Sequence, residues 1–544
     1  NTIINYETLF GNLAYQHGWT KQNLSKTQVK AAIIEQYGND TKWQILQAQV
    51  YGKQIHQAQM FTDCYEFIKT VIANGDQIYI ISHKTEFSNY DGVTKLIEPA
   101  RQWLADNKLS GPNGLINESR INFYPSLDEK VAAITAIHCD IFIDDLSRVL
   151  THQQFSGYCI PILFSRIADH NHIYAKNWQE ILQFYQLLKQ YSLPWLVNFA
   201  RQQKQLIVDI SPFYNGGNNQ LKKISTNTKQ QFIIKSAIAE KSHLLRNECN
   251  ALKLLNKQGF DNIPRAIAYT KSPAQLIQTF IPAQKVGQIR DTHLQQVIQF
   301  ISRLDKIDAQ VHNFNNIANA RQCIKHYEND IKKRWQLINQ NIEKQCQQYE
   351  CFNLIKQLLP DIVQIVDFAF QAYNKQLKTG TFDVNQHFND QELCFNPSDF
   401  GFHNILEDNH GKLFFIDFEY FVYDDKVKMV SDFIHHAGHK LTLEQKIYFI
   451  QQLQENNFFN PAVKQRLILL LDLIGIEWLL IILNIVQYDK FKQKIHAKPD
   501  LSVEEIVITQ YDKAKQLIQF FQNNIAANKN LFTLGINYQD LSLD

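Results

Sequence analysis

One stretch constrains this chain more than any other: Asn396-Pro397-Ser398-Asp399-Phe400-Gly401-Phe402-His403-Asn404-Ile405-Leu406, followed shortly by Phe414-Phe415-Ile416-Asp417-Phe418-Glu419. It places an Asp, an Asn five positions on, and a second Asp closing an apolar strand. That set suits phosphoryl transfer from ATP. One carboxylate orients an attacking hydroxyl and accepts its proton, while the Asn and the second Asp hold magnesium on the phosphates. The run Leu413 to Ile416 predicts a short strand that delivers Asp417 into a turn. Asp-x4-Asn alone recurs by chance; followed by the strand and Asp-Phe-Glu it is far more specific.

The same chemistry needs a lysine on the phosphates and a glutamate to hold it, both upstream. Gln231-Phe232-Ile233-Ile234-Lys235 reads as an apolar strand ending in Lys, and Arg246 to Leu252 reads as helix, with Glu248 placed to pair with Lys235. Before them, Gly216 and Gly217 in Tyr214-Asn215-Gly216-Gly217-Asn218-Asn219-Gln220 could fold over phosphates, because glycine lets backbone N–H groups approach anions closely. After them, Leu276 to Pro282 reads as the last strand of a small lobe and a hinge. Singly, Lys235 and Glu248 would be a surface pair and Gly216-Gly217 an ordinary hairpin. Their order along the chain, glycine turn, Lys, Glu, hinge, Asp…Asn, Asp, is that of a kinase.

From about Leu206 onward the chain resembles the aminoglycoside phosphotransferase and choline kinase family. The resemblance implies a two-lobed, α+β, protein-kinase-like domain over 206–544, with a small lobe at about 206–280 and a largely helical large lobe at about 285–544. It implies Asp399 as catalytic base, Asn404 and Asp417 as magnesium ligands, and Lys235 with Glu248 as the ATP phosphate anchor. The family's motif has His two residues before the catalytic Asp, where this chain has Pro397. The Ser-Asp-Phe-Gly-Phe-His-Asn wording resembles a subgroup apart from the antibiotic-resistance members, which points away from an aminoglycoside acceptor. A protein substrate fits less well, since Tyr423-Asp424-Asp425-Lys426 follows Asp417 in place of an Ala-Pro-Glu-like segment.

At 544 residues the chain predicts two or three domains. A net charge of +2 and the absence of a basic, aromatic-interleaved tract argue against nucleic acid as a partner. Eight cysteines without a Cys-x2-Cys pair predict reduced thiols in a cytoplasmic protein rather than a disulfide framework or structural zinc. Leu467 to Leu483 is apolar enough to suggest a membrane span, yet Asp472 and Glu477 lie near its middle. An Asp there costs about 2.5 to 3.5 kcal/mol. The expectation is a buried core helix, broken into two at Gly475, and no membrane.

The N-terminal residues, to about 175, carry a different chemistry. Gln77 to Lys84 reads as a buried strand containing Ser82, and Asp140 to Leu146 as another containing Asp144-Asp145, with Lys130 between them. Apolar runs alternating with amphipathic helices predict an α/β domain with a parallel, Rossmann-like sheet. Ligands of such sheets sit at the strands' carboxyl ends, where Ser82 and Asp144-Asp145 fall. Ser82 could bond a phosphate oxygen, Lys130 neutralise its charge, and Asp144 with Asp145 hold magnesium. Equally, Ser82 could cap a helix, Lys130 be solvated and the Asp pair open a loop.

The ordered set resembles motifs two to four of the haloacid-dehalogenase-like phosphohydrolases, which implies catalytic roles for Ser82 and Lys130 and metal binding by Asp144 and Asp145. That family's first motif is Asp-x-Asp-x-Thr. Asn1-Thr2-Ile3 reads as its tail, with Thr2 at the Thr position and both aspartates missing. The expectation is a chain that begins a few residues into its first strand and whose N-terminal half lacks its nucleophile. Tyr6 to Asp63 predicts a small helical cap, and 176–205 a helical connector broken at Leu193-Pro194 that packs rather than flexes.

Together these features predict an ATP- and magnesium-dependent kinase acting on a small-molecule hydroxyl, fused to a phosphatase-like domain. A nucleotide-binding regulator whose N-terminal half senses a phosphorylated ligand is the alternative. Neither the acceptor nor the oligomeric state is readable from the sequence.

Overall fold

The computed structural model describes residues 2–22, 24–155, 157–169, 171–191, 194–213, 219–308, 320–380, 382–436, 438–439, 441–497 and 501–526. Gly216, Gly217 and Leu193 of the expectations above lie outside them. The chain divides into two compact units, 1–211 with 224–231, and 212–223 with 232–544.

In the first unit, α1 (Glu7–Gln16), α2 (Lys26–Tyr37) and α3 (Thr41–Tyr51) occupy the segment expected to form a cap. Each buries residues spaced three or four apart, such as Leu9, Phe10 and Leu13, or Trp43, Leu46 and Val50, the spacing of one helix face. Phe10 stacks on Trp43 at 4.9 Å. Ser25 and Gln28 close a reciprocal cap at the start of α2.

The strands expected to be parallel are parallel, but they form two sheets. β1 (Ile80–His83) pairs with β2 (Ile121–Tyr124), while β3 (Ile141–Asp144), β4 (Ile160–Phe164) and β5 (Ile173–Ala175) pair in that order. What β1 and β3 share is a side-chain cluster: Ile81 and Phe142 both pack with Val131 and Ile134 of α4 (Leu127–Ala136). Apolar runs encode that burial, whereas ladder pairing leaves no mark in them. α5 (Trp178–Tyr191), in the segment expected to connect the halves, packs through Trp178, Ile181, Phe184 and Tyr185 into this unit's core.

The second unit holds an antiparallel set of strands in which β8 (Ala274–Thr279) lies between β6 (Gln231–Ser236) and β7 (Ala266–Lys271). Between β6 and β7 the chain forms α6 (Ser242–Lys257), which buries Leu245, Cys249, Leu252 and Leu255 along one stripe. Beyond them come the helices α7 (Asp291–Asp305), α8 (Ile324–Gln348) and α9 (Leu359–Thr379). Next, β9 (Leu393–Asn396) pairs with β12 (Val422–Asp425), and between them β10 (Ile405–Glu407) and β11 (Leu413–Phe415) form a hairpin. α10 (Lys426–His435) and α11 (Pro461–Ile482) follow.

α11 corrects one expectation. It is the one described helix long and apolar enough to cross a membrane, 78% of its most apolar stretch is buried inside the protein, and it runs through Gly475 without a break. A helical glycine costs only about 1 kcal/mol relative to Ala, which packing on nearly every side of α11 outweighs. Its acid is paired. Glu477 Oε1 accepts from Arg321 Nη2 at 2.6 Å and from Arg334 Nε at 3.2 Å.

Burial alone would raise Glu477's pKa, but Arg321, Arg334 and Lys428 outweigh it and hold it at about 2, against an ordinary 4.5. A depressed carboxyl stabilises the fold above its unfolded pKa, and that contribution is lost as pH falls from about 4.5 toward 2. Glu477→Gln, which leaves Arg321 with Asp330 as its remaining ion-pair partner, is expected to cost about 1.5–3 kcal/mol at neutral pH, the weight of a hydrogen bond to a charged group. It should also flatten the acid limb of stability in that window. Urea denaturation of both proteins at neutral pH and through the acid range checks both effects.

All eight cysteines are free thiols, with Cys139 and Cys159 sulfurs 3.5 Å apart.

Candidate active site

Lys235 ends the buried run of β6, opposite Leu276 of β8. Glu248 lies on the buried stripe of α6 with its side chain fully enclosed. Lys235 Nζ donates to Glu248 Oε1 at 2.7 Å and to Asp417 Oδ1 at 2.8 Å. Burial would lower the lysine's pKa, yet the charges of Asp417 and Glu248 outweigh it and hold Lys235 well above its ordinary range, as an ammonium. The pKa of Glu248 is raised as well, by its own burial, only partly offset by Lys235. We take the Lys235 charge as fixed, because two carboxylates share it.

The loop after β9 presents Asp399. Asn396 Oδ1 accepts from Ser398 N at 2.8 Å, folding the chain back directly before the aspartate. Phe400 and Phe402, both buried, anchor the loop on either side of Gly401. Phe400 packs 5.3 Å from Phe433 of α10, and Phe402 lies 5.8 Å from the same ring. The β10–β11 hairpin then joins the rest. Ile416 N donates to Asn404 O at 3.0 Å, and Asn404 Nδ2 donates to Asp399 O at 3.0 Å. Asn404 thus ties the Asp399 loop to the residue before Asp417. Ser398 at φ 65° and Asp417 at φ 69° both sit in the left-handed region, which side chains other than glycine seldom adopt.

This set fits a magnesium ion by its donor chemistry. Since Asn404 gives its Nδ2 to Asp399, its Oδ1 remains as a carbonyl acceptor. Asp417 is 27% exposed, and two carboxylates around one ammonium leave a net negative charge. Hard oxygen donors with spare negative charge are what magnesium takes. Glu419 sits under the site: its Oε2 accepts from Asn219 Nδ2 at 2.9 Å, and its backbone O from Asn247 Nδ2 at 3.0 Å.

A group of histidines absent from the sequence reading completes the site. His436, just past α10, donates Nε2 to Asp399 Oδ1 at 2.8 Å, and His403 Nε2 lies 3.4 Å from the same oxygen. The two imidazoles stack with centroids 4.2 Å apart, and Trp478 of α11 covers His436 at 4.2 Å. Burial lowers the pKa of His436 and of His439, the latter to about 3, so both are neutral near pH 7. For Asp399, burial alone would raise the pKa, but the contacts to His403 and His436 reverse this and hold the carboxylate well below its usual range.

The glycines make room for these rings. A Cβ on Gly401 would meet His436 Cγ and His439 Nδ1 at 2.9 Å, and one on Gly438 would meet His403 Nδ1 at 2.7 Å. The run His435-His436-Ala437-Gly438-His439 was the available signal. Asp399, His403 and His436 are close enough together to hold an ion. However, Gly438 N donates to His436 Nδ1 at 2.8 Å, which puts the ring proton on Nε2 and leaves no lone pair there.

In the first unit, Lys130 and Asp144 form a buried ion pair, and Asp144 Oδ1 accepts from Leu146 N at 2.9 Å. Ser82 lies in β1 opposite Phe123, and the charge of Asp145 reaches Tyr6. Of that expected set, Lys130 and Asp144 are in direct contact. Lys84, two residues past Ser82, was not singled out from the sequence; it lies 5.0 Å over the Tyr51 ring, and burial lowers its pKa to about 8. Lys130→Ala would leave Asp144 buried and unpaired, an expected loss of about 3 kcal/mol or more in the first unit's stability. Thermal denaturation against the parent chain checks this.

No family model matches the chain, and no curated protein matches it. Among solved structures, an ethanolamine kinase of Plasmodium vivax is similar over 63% of this chain and 89% of its own, at 14% identity and a TM-score of 0.39. A choline kinase of Cryptosporidium parvum is similar over 61% and 93%, at 14% identity and 0.38. A choline/ethanolamine kinase family protein of Mesorhizobium loti is similar over 64% and 98%, at 13% identity and 0.38. At TM-scores this low, what the site does is read from its own distances.

Proposed function

We propose that the second unit is an ATP- and magnesium-dependent phosphotransferase of protein-kinase-like fold, acting on a hydroxyl of a small molecule such as a sugar or an amino alcohol. One observation carries this: Asn404 is bonded both to Asp399 and to the residue before Asp417, while Asp417 shares Lys235 with Glu248. A proton acceptor, two metal-binding oxygens and a phosphate-binding ammonium are thereby held in one connected set, as phosphoryl transfer requires.

Lys235 would bind the phosphates, with Glu248 keeping its ammonium in place. Asn404 and Asp417 would hold magnesium, which supplies charge neutralisation on the phosphate oxygens. Asp399 would orient the acceptor hydroxyl and take its proton as the new O–P bond forms and the bond to the ADP oxygen breaks. For the first unit we propose a phosphate-binding site of dehalogenase-like type, supported by Asp144, which closes the parallel strand β3, and by its buried pairing with Lys130 of α4.

The test is a screen of sugars, amino alcohols and amino acids for ATP-dependent phosphorylation by the full chain. A phosphorylated acceptor with one ADP released per transfer, dependent on magnesium, is expected. Magnesium-dependent nucleotide binding with no transfer to any acceptor would overturn the reading in favour of a nucleotide-binding regulator.

A further inference from the structure

We propose that His436 is the positioning residue for Asp399, a neutral imidazole whose Nε2–H holds Oδ1 and so leaves Oδ2 for the acceptor hydroxyl. The proposal rests on the phosphotransferase reading of Asp399, and it follows from four features of the geometry.

First, the tautomer is set by the backbone. Gly438 N–H donates to His436 Nδ1 at 2.8 Å, and a ring nitrogen that accepts carries no proton, so the single proton of the neutral ring is on Nε2, 2.8 Å from Asp399 Oδ1. Second, the two carboxylate oxygens are unequal. Oδ1 is contacted by both His436 and His403, whereas among the described residues Oδ2 is approached by Asn404 Nδ2 at the long distance of 3.5 Å. The oxygen with spare acceptor capacity is therefore Oδ2.

Third, the ring is held from several sides. It lies between the stacked His403 and the Trp478 indole, and Trp478 is itself fixed by donating Nε1 to Asp432 Oδ1 at 3.1 Å. Fourth, space was made for it. Gly401, two residues after Asp399, is the position at which any side chain would strike His436 and His439. The motif around Asp399 is therefore shaped to an imidazole arriving from 37 residues further along the chain, in a protein with Pro397 two residues before the aspartate.

In this arrangement His436 does not relay the proton. The hydroxyl proton passes to Asp399 Oδ2, and the imidazole keeps its own, since Nδ1 is occupied by the backbone donor. Its contribution is to stop the carboxylate rotating and to present one oxygen consistently, an effect that acts on turnover rather than on nucleotide affinity.

His436→Phe keeps the ring and its stacking but removes the donor. It is expected to lower kcat by roughly ten- to a hundredfold, the usual weight of a hydrogen bond to a charged group, with KM for ATP within about threefold of the parent. His436→Gln, whose amide nitrogen can reach the Nε2 position, should recover a substantial part of that loss. A Phe variant turning over at the parent rate would overturn the proposal, as would a Gln variant as slow as Phe at unchanged melting temperature. The tautomer is measured independently, by two-bond 1H–15N correlation on full chain labelled at histidine. His436 should show a protonated Nε2 whose resonance moves on Asp399→Asn; a protonated Nδ1 would refute the assignment. If the parent chain phosphorylates no acceptor, the phosphotransferase reading fails, and this measurement alone decides whether His436 holds Asp399.

Discussion

Asp399→Asn is expected to lower phosphoryl transfer by about 10²–10⁴, the weight of a positioned proton acceptor, while nucleotide binding stays within a few-fold of the parent. The direction follows from which oxygen is engaged. His436 presents an N–H to the Oδ1 position, so an asparagine there would turn its carbonyl toward the imidazole. Its NH2 group would then stand where the acceptor hydroxyl needs an acceptor. The variant keeps the shape of the site and inverts its hydrogen-bonding sense. Single-turnover transfer from γ-labelled ATP, alongside calorimetric titration with ADP and magnesium, separates the chemical step from binding. Turnover above about a tenth of the parent rate would remove Asp399 from its role.

The second large effect is expected at the shared lysine. Lys235→Ala removes the cation from between two carboxylates, one of them fully buried, so both ATP use and stability should fall. We expect at least a hundredfold loss in kcat/KM for ATP, from the missing phosphate contact and from Glu248 left without its partner. Asp417→Ala acts on the other side of the same pair. It leaves Lys235 bonded to Glu248, so the fold should survive, but it removes the charged metal ligand, and magnesium should no longer strengthen nucleotide binding. Titrating magnesium against ADP binding in this variant is the check, and an unchanged response would refute the metal site.

Much of this site could be read in the sequence because its parts are local. Asp399, Asn404 and Asp417 fall within one loop and one hairpin, and the strand that carries Lys235 precedes the helix carrying Glu248 by a short turn. Spacing carries such information, since secondary structure converts it into distance. His436 was not legible for the opposite reason. Its contact with Asp399 crosses 37 residues and depends on how α10 packs beside the β9–β12 pair, and nothing in the spacing of His435-His436-Ala437-Gly438-His439 says which ring turns inward. The continuity of α11 through Gly475 was hidden by the same limit, because a weak local preference is overruled by burial that only the fold reveals. In the first unit the apolar runs announced parallel strands, yet which strand bonds to which is decided by edges and helix packing, so the separation of β1–β2 from β3–β5 was not foreseeable.

The two aspartates at the centre of the site share one backbone peculiarity: Asp417 itself, and Ser398 directly before Asp399, sit at positive φ. For a residue with a side chain that conformation costs about 1–2 kcal/mol, and glycine would adopt it at no such cost. Each turn is therefore a place where the protein could be made sturdier at the expense of what it does. Relaxing Ser398 would free the loop that aims Asp399, and relaxing Asp417 would remove a carboxylate. Variants selected for heat resistance alone would drift toward glycine at these positions and lose turnover as they did so. The tension held in the two bends marks where this molecule's durability and its chemistry pull apart.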